Sequence, residues 1–377
     1  MQMIAMLRIP VIALVLGSLA MSGTHAAEPE PIQISSANLK GGLVKKDIAQ
    51  IQLHTKYWVA ELAAAKTAGG VYRAREGILA DYGKYATSLR YQVEFARSAA
   101  AVITRAMGKL TANDPLVPVK EINCAIVISK MPQLTAVTAI DAMVGSTNPG
   151  VRFLAWKGYE GIRKQVIRKG GKVSNTLFAT LTKHAATEPS PLVATVIIDV
   201  LHIKKSDLTA KPFTKAFDRS FNTLVGMLKT CCDRLADGDA AWARPCIAAI
   251  PVLLDAAEFY KPDNKKSTLI IQQLVNIAQA AAKAFAATDG TGNGAFHCAP
   301  LLLKVEPAIG SLTKDSGREI RNPLLDRKMS PKEKSSAVRR GVLEWIARLD
   351  ELGIKKPVFT PIKPPAPTTQ PAAKTSV

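Results

Sequence analysis

The sequence predicts an all-α chain organised as a series of antiparallel helix hairpins. Three observations carry that expectation. Between about residues 40 and 352, apolar residues recur at helical spacing. Strand-like alternation persists nowhere in that region. The helical runs are joined by short connectors rich in Gly, Pro, Asp and Asn, such as "TAGG", "GSTNP", "TEPSP" and "DGTGNG".

Residues 1–26 read as an export signal. Arg8 supplies the positive flank, "VIALVLGSLAM" an apolar run too short for a bilayer, and "THA" the small residues of a cleavage site after Ala26 or Ala27. No later stretch is expected to span a membrane. Residues 27–39, "AEPEPIQISS" and its continuation, read as a polar leader without fixed structure. A single helical domain is expected over 40–352, in segments such as "DIAQIQLHTKYWVAELAAAK" and "STLIIQQLVNIAQAAAKAFAA". The apolar run "NCAIVIS" reads as a buried helix. Residues 353–377 are rich in Pro and Thr, whose X-Pro steps oppose both helix and ladder, so a disordered spacer is expected.

The sharpest helix start is Asn148-Pro149: an N-cap side chain followed by the residue whose missing N–H costs nothing in the first turn. Ser190-Pro191 repeats the device 42 residues later, and Asp114-Pro115 offers a third instance. Each of the first two starts is preceded by another helical run, "QLTAVTAIDAMV" and "SNTLFATLTKHA". Helix-turn-helix units at this period are the pattern of stacked repeats.

"NPGVRFLAWKGYEGI" resembles the second helix of a HEAT or armadillo-type repeat, with a polar-Pro start, a Val-Arg pair and a small residue. "SSAVRRGVLEWIARL" repeats the pair as Val338-Arg339, whereas "SPLVATVIIDVLHI" has Ala194 where the Arg falls. The resemblance covers about 132–204, and more thinly 335–350. It implies a right-handed superhelix of hairpins, an α-solenoid, whose role is binding or scaffolding. In that family an acid six residues before the Arg joins a polar ladder between repeats. Here that position holds Ser146, Glu188 and Glu333, so the ladder is incomplete.

On a helical wheel Val151, Ala155, Gly158 and Ile162 share one face, and Phe153, Trp156, Lys157, Glu160 and Lys164 lie opposite. Adding the period aligns Lys157 with Asp199 and Glu160 with His202. Lys157 is therefore expected to meet Asp199 across the repeat boundary. Phe153 and Trp156 would supply apolar surface for a partner, or pack on the preceding helix. Arg163 and Lys164, with Arg168, Lys169 and Lys172, end the helix in a basic cluster that suits the helix dipole or an acidic partner.

Cys231 and Cys246 straddle the turn Gly238-Asp239 and are candidates for a disulfide. Five cysteines without C-x-x-C, and scattered histidines without H-E-x-x-H, offer no metal site. No catalytic residue, metal ligand or cofactor is assigned. "DGTGNGAF" lacks the Gly-Lys-Ser/Thr of a phosphate loop, and Pro300 stands where a calcium loop needs Glu. No Gly-x-Ser-x-Gly elbow occurs.

The formal charge is +20 for the whole chain and falls by one, to +19, when Arg8 leaves with the signal. Export and the scatter of bases argue against nucleic acid as partner. Three classes are carried forward. The first is an exported, non-enzymatic scaffold binding another macromolecule, preferably a protein and an acidic one. The second is a secreted all-α enzyme acting on polysaccharide, set against an aromatic content of only 6%. The third is a basic structural protein attached to an anionic envelope component.

Overall fold

Small polar side chains start the helices as their chemistry dictates. Ser35, Thr67, Ser88, Asn148 and Ser190 each accept a hydrogen bond from a backbone N–H of the first turn. The computed structural model describes residues 27–111, 113–204, 211–260 and 264–351. Residues 1–26, read above as an export signal, and the Pro-rich residues 353–377 lie outside these residues. The helices are α1 (Ser36–Gly41), α2 (Lys45–Ala64), α3 (Ala68–Gly83), α4 (Leu89–Met107), α5 (Val117–Ser129), α6 (Val137–Val144), α7 (Pro149–Lys169) and α8 (Gly171–Ala185). They continue with α9 (Pro191–Leu201), α10 (Lys211–Ala236), α11 (Ala243–Phe259), α12 (Asn264–Ala287), α13 (Gly292–Thr313), α14 (Arg321–Leu325) and α15 (Pro331–Glu351). No strand occurs among the described residues, and the fold is all-α.

Successive helices pair as hairpins: α2 with α3, α4 with α5, α6 with α7, α8 with α9, α10 with α11, and α12 with α13. Helices also pack on the next but one. The second members run without a break as α3, α5, α7, α9, α11 and α13, each touching its neighbour in that order. The first members pack α2 on α4, α4 on α6, α8 on α10, and α10 on α12, which α15 then covers. Two layers of helices therefore enclose one continuous core.

Alanine sets the spacing inside this core. Helix α12 touches α10, α11, α13 and α15, and Ala278, Ala280, Ala281, Ala282 and Ala284 are all buried on it. Small side chains let four neighbours approach a single helix. Its turn into α13 needs backbone at positive φ, supplied by Asp289, Gly290 and Gly292. At Gly290, with φ of 70°, a Cβ would stand 2.8 Å from the Pro331 carbonyl, so the turn is packed against the start of α15.

Three expectations need correction. The leader is not loose: Ile32 and Ile34 are buried, and the chain over 27–35 lies extended against the first hairpin. Glu30 O meets His54 Nε2 at 2.7 Å, and the Tyr85 hydroxyl accepts from Ile34 N and donates to Ile32 O. Two isoleucines hidden in a polar stretch outweigh its composition. The second correction concerns Asp114-Pro115. α5 begins at Val117, and the Asp114 carboxylate instead accepts Leu116 N–H at 2.9 Å and pairs with Lys120 Nζ at 2.6 Å.

The third concerns membrane length. Ala240–Phe259, a 3-10 turn running into α11, is 20 residues long and contains an 18-residue stretch of mean hydropathy 1.3, long and apolar enough to cross a bilayer by composition. Its apolarity has a local cause, since α11 is packed among α9, α10, α12 and α13.

Candidate functional site

The two apolar sides of α7 follow from its place in the layer. It touches α5 and α6 on one side and α8 and α9 on the other. Val151, Arg152, Ala155, Trp156, Gly158, Tyr159, Ile162 and Arg163 are accordingly buried. Of the two readings of Trp156, surface for a partner and packing on a neighbouring helix, its burial supports the second. Trp156 is fully buried, its ring 5.5 Å from Tyr159 and 6.3 Å from His184 on α8. It belongs to the hairpin core and supplies no partner surface. Phe153 is half-buried against the same core.

For Arg163 the expectation needs correction. It is buried, and its Nη1 donates to the carbonyls of Asp199 at 2.7 Å and Val200 at 3.2 Å, the last turn of α9. A guanidinium there satisfies carbonyls that the helix end leaves open. At the other end of α9, Arg152 forms a bidentate pair with Glu188, Nε to Oε2 at 3.0 Å and Nη2 to Oε1 at 2.7 Å. Its Nη1 donates to Ser146 O and Thr147 O, while Glu188 accepts Ser190 N–H at 3.0 Å. The acid that the sequence comparison placed beside Ala194 thus serves the arginine of the preceding unit.

The order of these contacts gives the direction of packing. Moving along α7 from Arg152 to Lys157 to Arg163, the partners advance from Glu188 to Asp199 to Val200. α7 and α9 therefore run parallel, side by side. Lys157 Nζ lies 3.5 Å from Asp199 Oδ2 and 2.7 Å from Glu160 Oε2. His202, aligned in sequence with Glu160, turns to the next helix and meets Asp255 Oδ2 of α11 at 2.7 Å. Asp255 was not legible beforehand, because no 42-residue period continues past α9.

Together these side chains make a half-exposed polar strip across α7, α9 and α11. Burial raises the Asp199 carboxyl above the usual range, and Glu160 adds to this against the pull of Lys157. Burial works to lower Lys157, but Glu160 and Asp199 outweigh it and hold the ammonium charged. The two directions disagree about the worth of the pair. Each partner is more than a third exposed, so water screens it and the strip marks register more than it stabilises. Beyond the strip, Lys164, Arg168 and Lys169 are exposed at the end of α7, with Lys172 in the first turn of α8. Among the described residues, no three His, Cys, Asp or Glu side chains converge to hold a metal ion.

The predicted Cys231–Cys246 bond is absent: all five cysteines are free and buried. The thiol that hydrogen-bonds Cys246 is Cys232, with Cys231 and Cys298 close enough to interact electrostatically. The 3-10 turn Ala240–Trp242 winds the chain more tightly than an α-turn before α11 begins, which a plain two-helix hairpin does not include. Burial pushes the Cys298 thiol up to about 12 and raises Cys231 further, so both stay protonated.

Compared with known proteins, the chain matches no family model, no curated protein and no solved structure.

Proposed function

We propose that this protein is an exported helical-repeat scaffold that binds another macromolecule, a protein with acidic surface, across the second layer of its helices. The observation that carries the reading is the unbroken row α3–α5–α7–α9–α11–α13. Such a row offers a broad, continuous surface of neighbouring helices, which suits extended contacts. Its outer side bears the polar strip from Lys157 to Asp255 and, at the end of α7, the exposed Arg168 and Lys169. The signal-like residues 1–26 and the formal charge of +19 that remains without them support an extracytoplasmic role with an anionic counterpart. The stack would then form the right-handed superhelix of HEAT and armadillo-type repeats.

The experiment is affinity capture from the exported fraction, followed by titration of the captured protein against the Arg168→Glu/Lys169→Glu variant. Arg163 is left intact because it holds α9. Weaker binding with a shallower salt dependence is expected. Affinity unchanged at every salt concentration removes this basic end from the binding surface. Retention only on anionic polysaccharide would move the protein to the envelope-structural class.

A further inference from the structure

The chain between the end of α13 and the middle of α15 concentrates positive charge. Residues 314–340 hold nine basic side chains against four acidic ones. The acids are occupied within the segment and its packing. Asp315 accepts Gly317 N–H at 2.9 Å and pairs with Arg348 at 3.0 Å. Glu319 gives one oxygen to the same guanidinium, and its other oxygen is closed to solvent. Asp326 accepts Lys328 N–H and Glu333 accepts Ser330 N–H, so both close local turns.

Three of the cations border one cavity. It has a volume of about 400 Å³ and opens between the last turn of α13 and the start of α14. Lys314, Arg318 and Arg321 line it, and all three are exposed. Among the described residues, none of these three side chains has an ion-pair or hydrogen-bond partner. Arg318 also borders a second cavity of about 490 Å³, which Arg340 of α15 lines as well. Besides Asp315, the acid on the first cavity is Glu306, only 1% exposed. Its oxygens accept Ile320 N–H, Arg321 N–H and the Trp345 indole N–H. That carboxylate answers the N–H groups that start α14, so the cations, not the helix end, give this cavity its character.

Lys314 carries a second signal. It caps α13 in the left-handed conformation, with φ of 60° and ψ of 24°, where glycine is the ordinary choice. A side chain strains that position, and folding alone gives no reason for an ammonium there. Like charges gathered without an anion repel one another. Guanidinium forks match phosphate oxygens, and an ammonium adds a point charge. Three cations also suit the near-double charge of a phosphate better than the single charge of a carboxylate. We propose that this cavity is a binding site for a phosphate group, with Arg318 and Arg321 as the forks and Lys314 as the point charge. The site uses other residues than the basic end of α7, so neither reading depends on the other.

Inorganic phosphate titrated calorimetrically into the purified full chain is the first probe. Vesicles of phosphatidylcholine, with and without phosphatidylglycerol, are the second, read by co-sedimentation. Saturable binding at one site per chain is expected. Arg318→Gln/Arg321→Gln should weaken it about tenfold or more, the worth of a charge-assisted hydrogen bond. Arg168→Gln/Lys169→Gln, which removes the same charge elsewhere, should leave the affinity unchanged. Lys314→Gly should keep or raise the melting temperature and still weaken binding. Co-sedimentation that needs phosphatidylglycerol and is lost in Arg318→Gln/Arg321→Gln identifies a lipid headgroup as the source of the phosphate. Binding of inorganic phosphate without co-sedimentation identifies the soluble anion. No saturable binding in either arm overturns the proposal. So does an equal loss in the two double variants, because net charge alone would then explain it. Lys314→Gly that melts normally and binds as tightly as the natural sequence overturns the role of Lys314.

Discussion

Removing Glu188 should loosen one end of α9 without unfolding the protein. Arg152 and Glu188 are 8% and 5% exposed, joined by two charge-assisted hydrogen bonds. Breaking a buried pair by deleting one partner costs about 3–5 kcal/mol, mainly because a charge is left without compensation. Glu188→Ala leaves the guanidinium with two carbonyls, Ser146 O and Thr147 O, so about 3 kcal/mol applies. Arg152→Ala leaves the carboxylate only Ser190 N–H and should approach about 5 kcal/mol. The double variant Arg152→Met/Glu188→Met strands no charge and should cost less than either single change. A chain of many layered helices need not unfold in one step, so the assay is hydrogen exchange resolved to α9. With Glu188→Ala, exchange of the α9 amides should rise roughly 100-fold, the equivalent of about 3 kcal/mol. A rise of less than threefold, or a double variant costing as much as both singles combined, refutes the assignment.

Other expectations follow from separate parts of the molecule. The Lys120 ammonium holds the Asp114 carboxyl below its ordinary value, helped by Leu116 N–H. A depressed carboxyl stabilises the fold above about pH 4, its unfolded range, and loses that contribution as pH falls through the folded value. The melting temperature of Asp114→Asn should therefore lie below that of the natural sequence at pH 6, with the gap narrowing in acid; a gap constant down to pH 2 contradicts this. Gly77→Ala should destabilise the first hairpin by about 1–3 kcal/mol, since a Cβ would stand 2.5 Å from the Trp58 ring. That ring cannot slide freely because its Nε1 is held by Asp81 at 2.9 Å, and a melting temperature at or above the natural one would show that it can. A small alkylating reagent should leave all five buried thiols unlabelled in the folded chain and label all five in denaturant, read by mass spectrometry; ready labelling of the folded chain would contradict their burial.

The helix starts at Pro149 and Pro191 were legible because capping is local chemistry, readable from two adjacent residues. The approach of Lys157 to Asp199 was legible because parallel neighbours preserve the period. For Trp156 the sequence left two readings open, and Arg163 was misplaced. Periodicity shows that a face is apolar, but a helix in the middle of a layer is buried on two sides. Arg163 was read as a cation of the surface because nothing local marks the α9 carbonyls it serves. The ordered leader was missed because its anchor, His54, lies 24 residues away in sequence from Glu30.

The two arginines of α7 have a consequence for how this family of shapes could change. Arg152 and Arg163 stand 11 positions apart, and α9 is 11 residues long. Both helices rise about 1.5 Å per residue, so the spacing of one fixes the permitted length of the other. One clamp grips the beginning of α9 and the other its end. A residue inserted into α9 would advance its end by about 1.5 Å and turn it by about 100°, carrying one set of partners out of reach. α9 is also shorter than most helices that persist alone in water. Its neighbour therefore acts as a gauge: additions and losses are tolerated in the connectors on either side, whereas the span between the two arginines admits only substitutions.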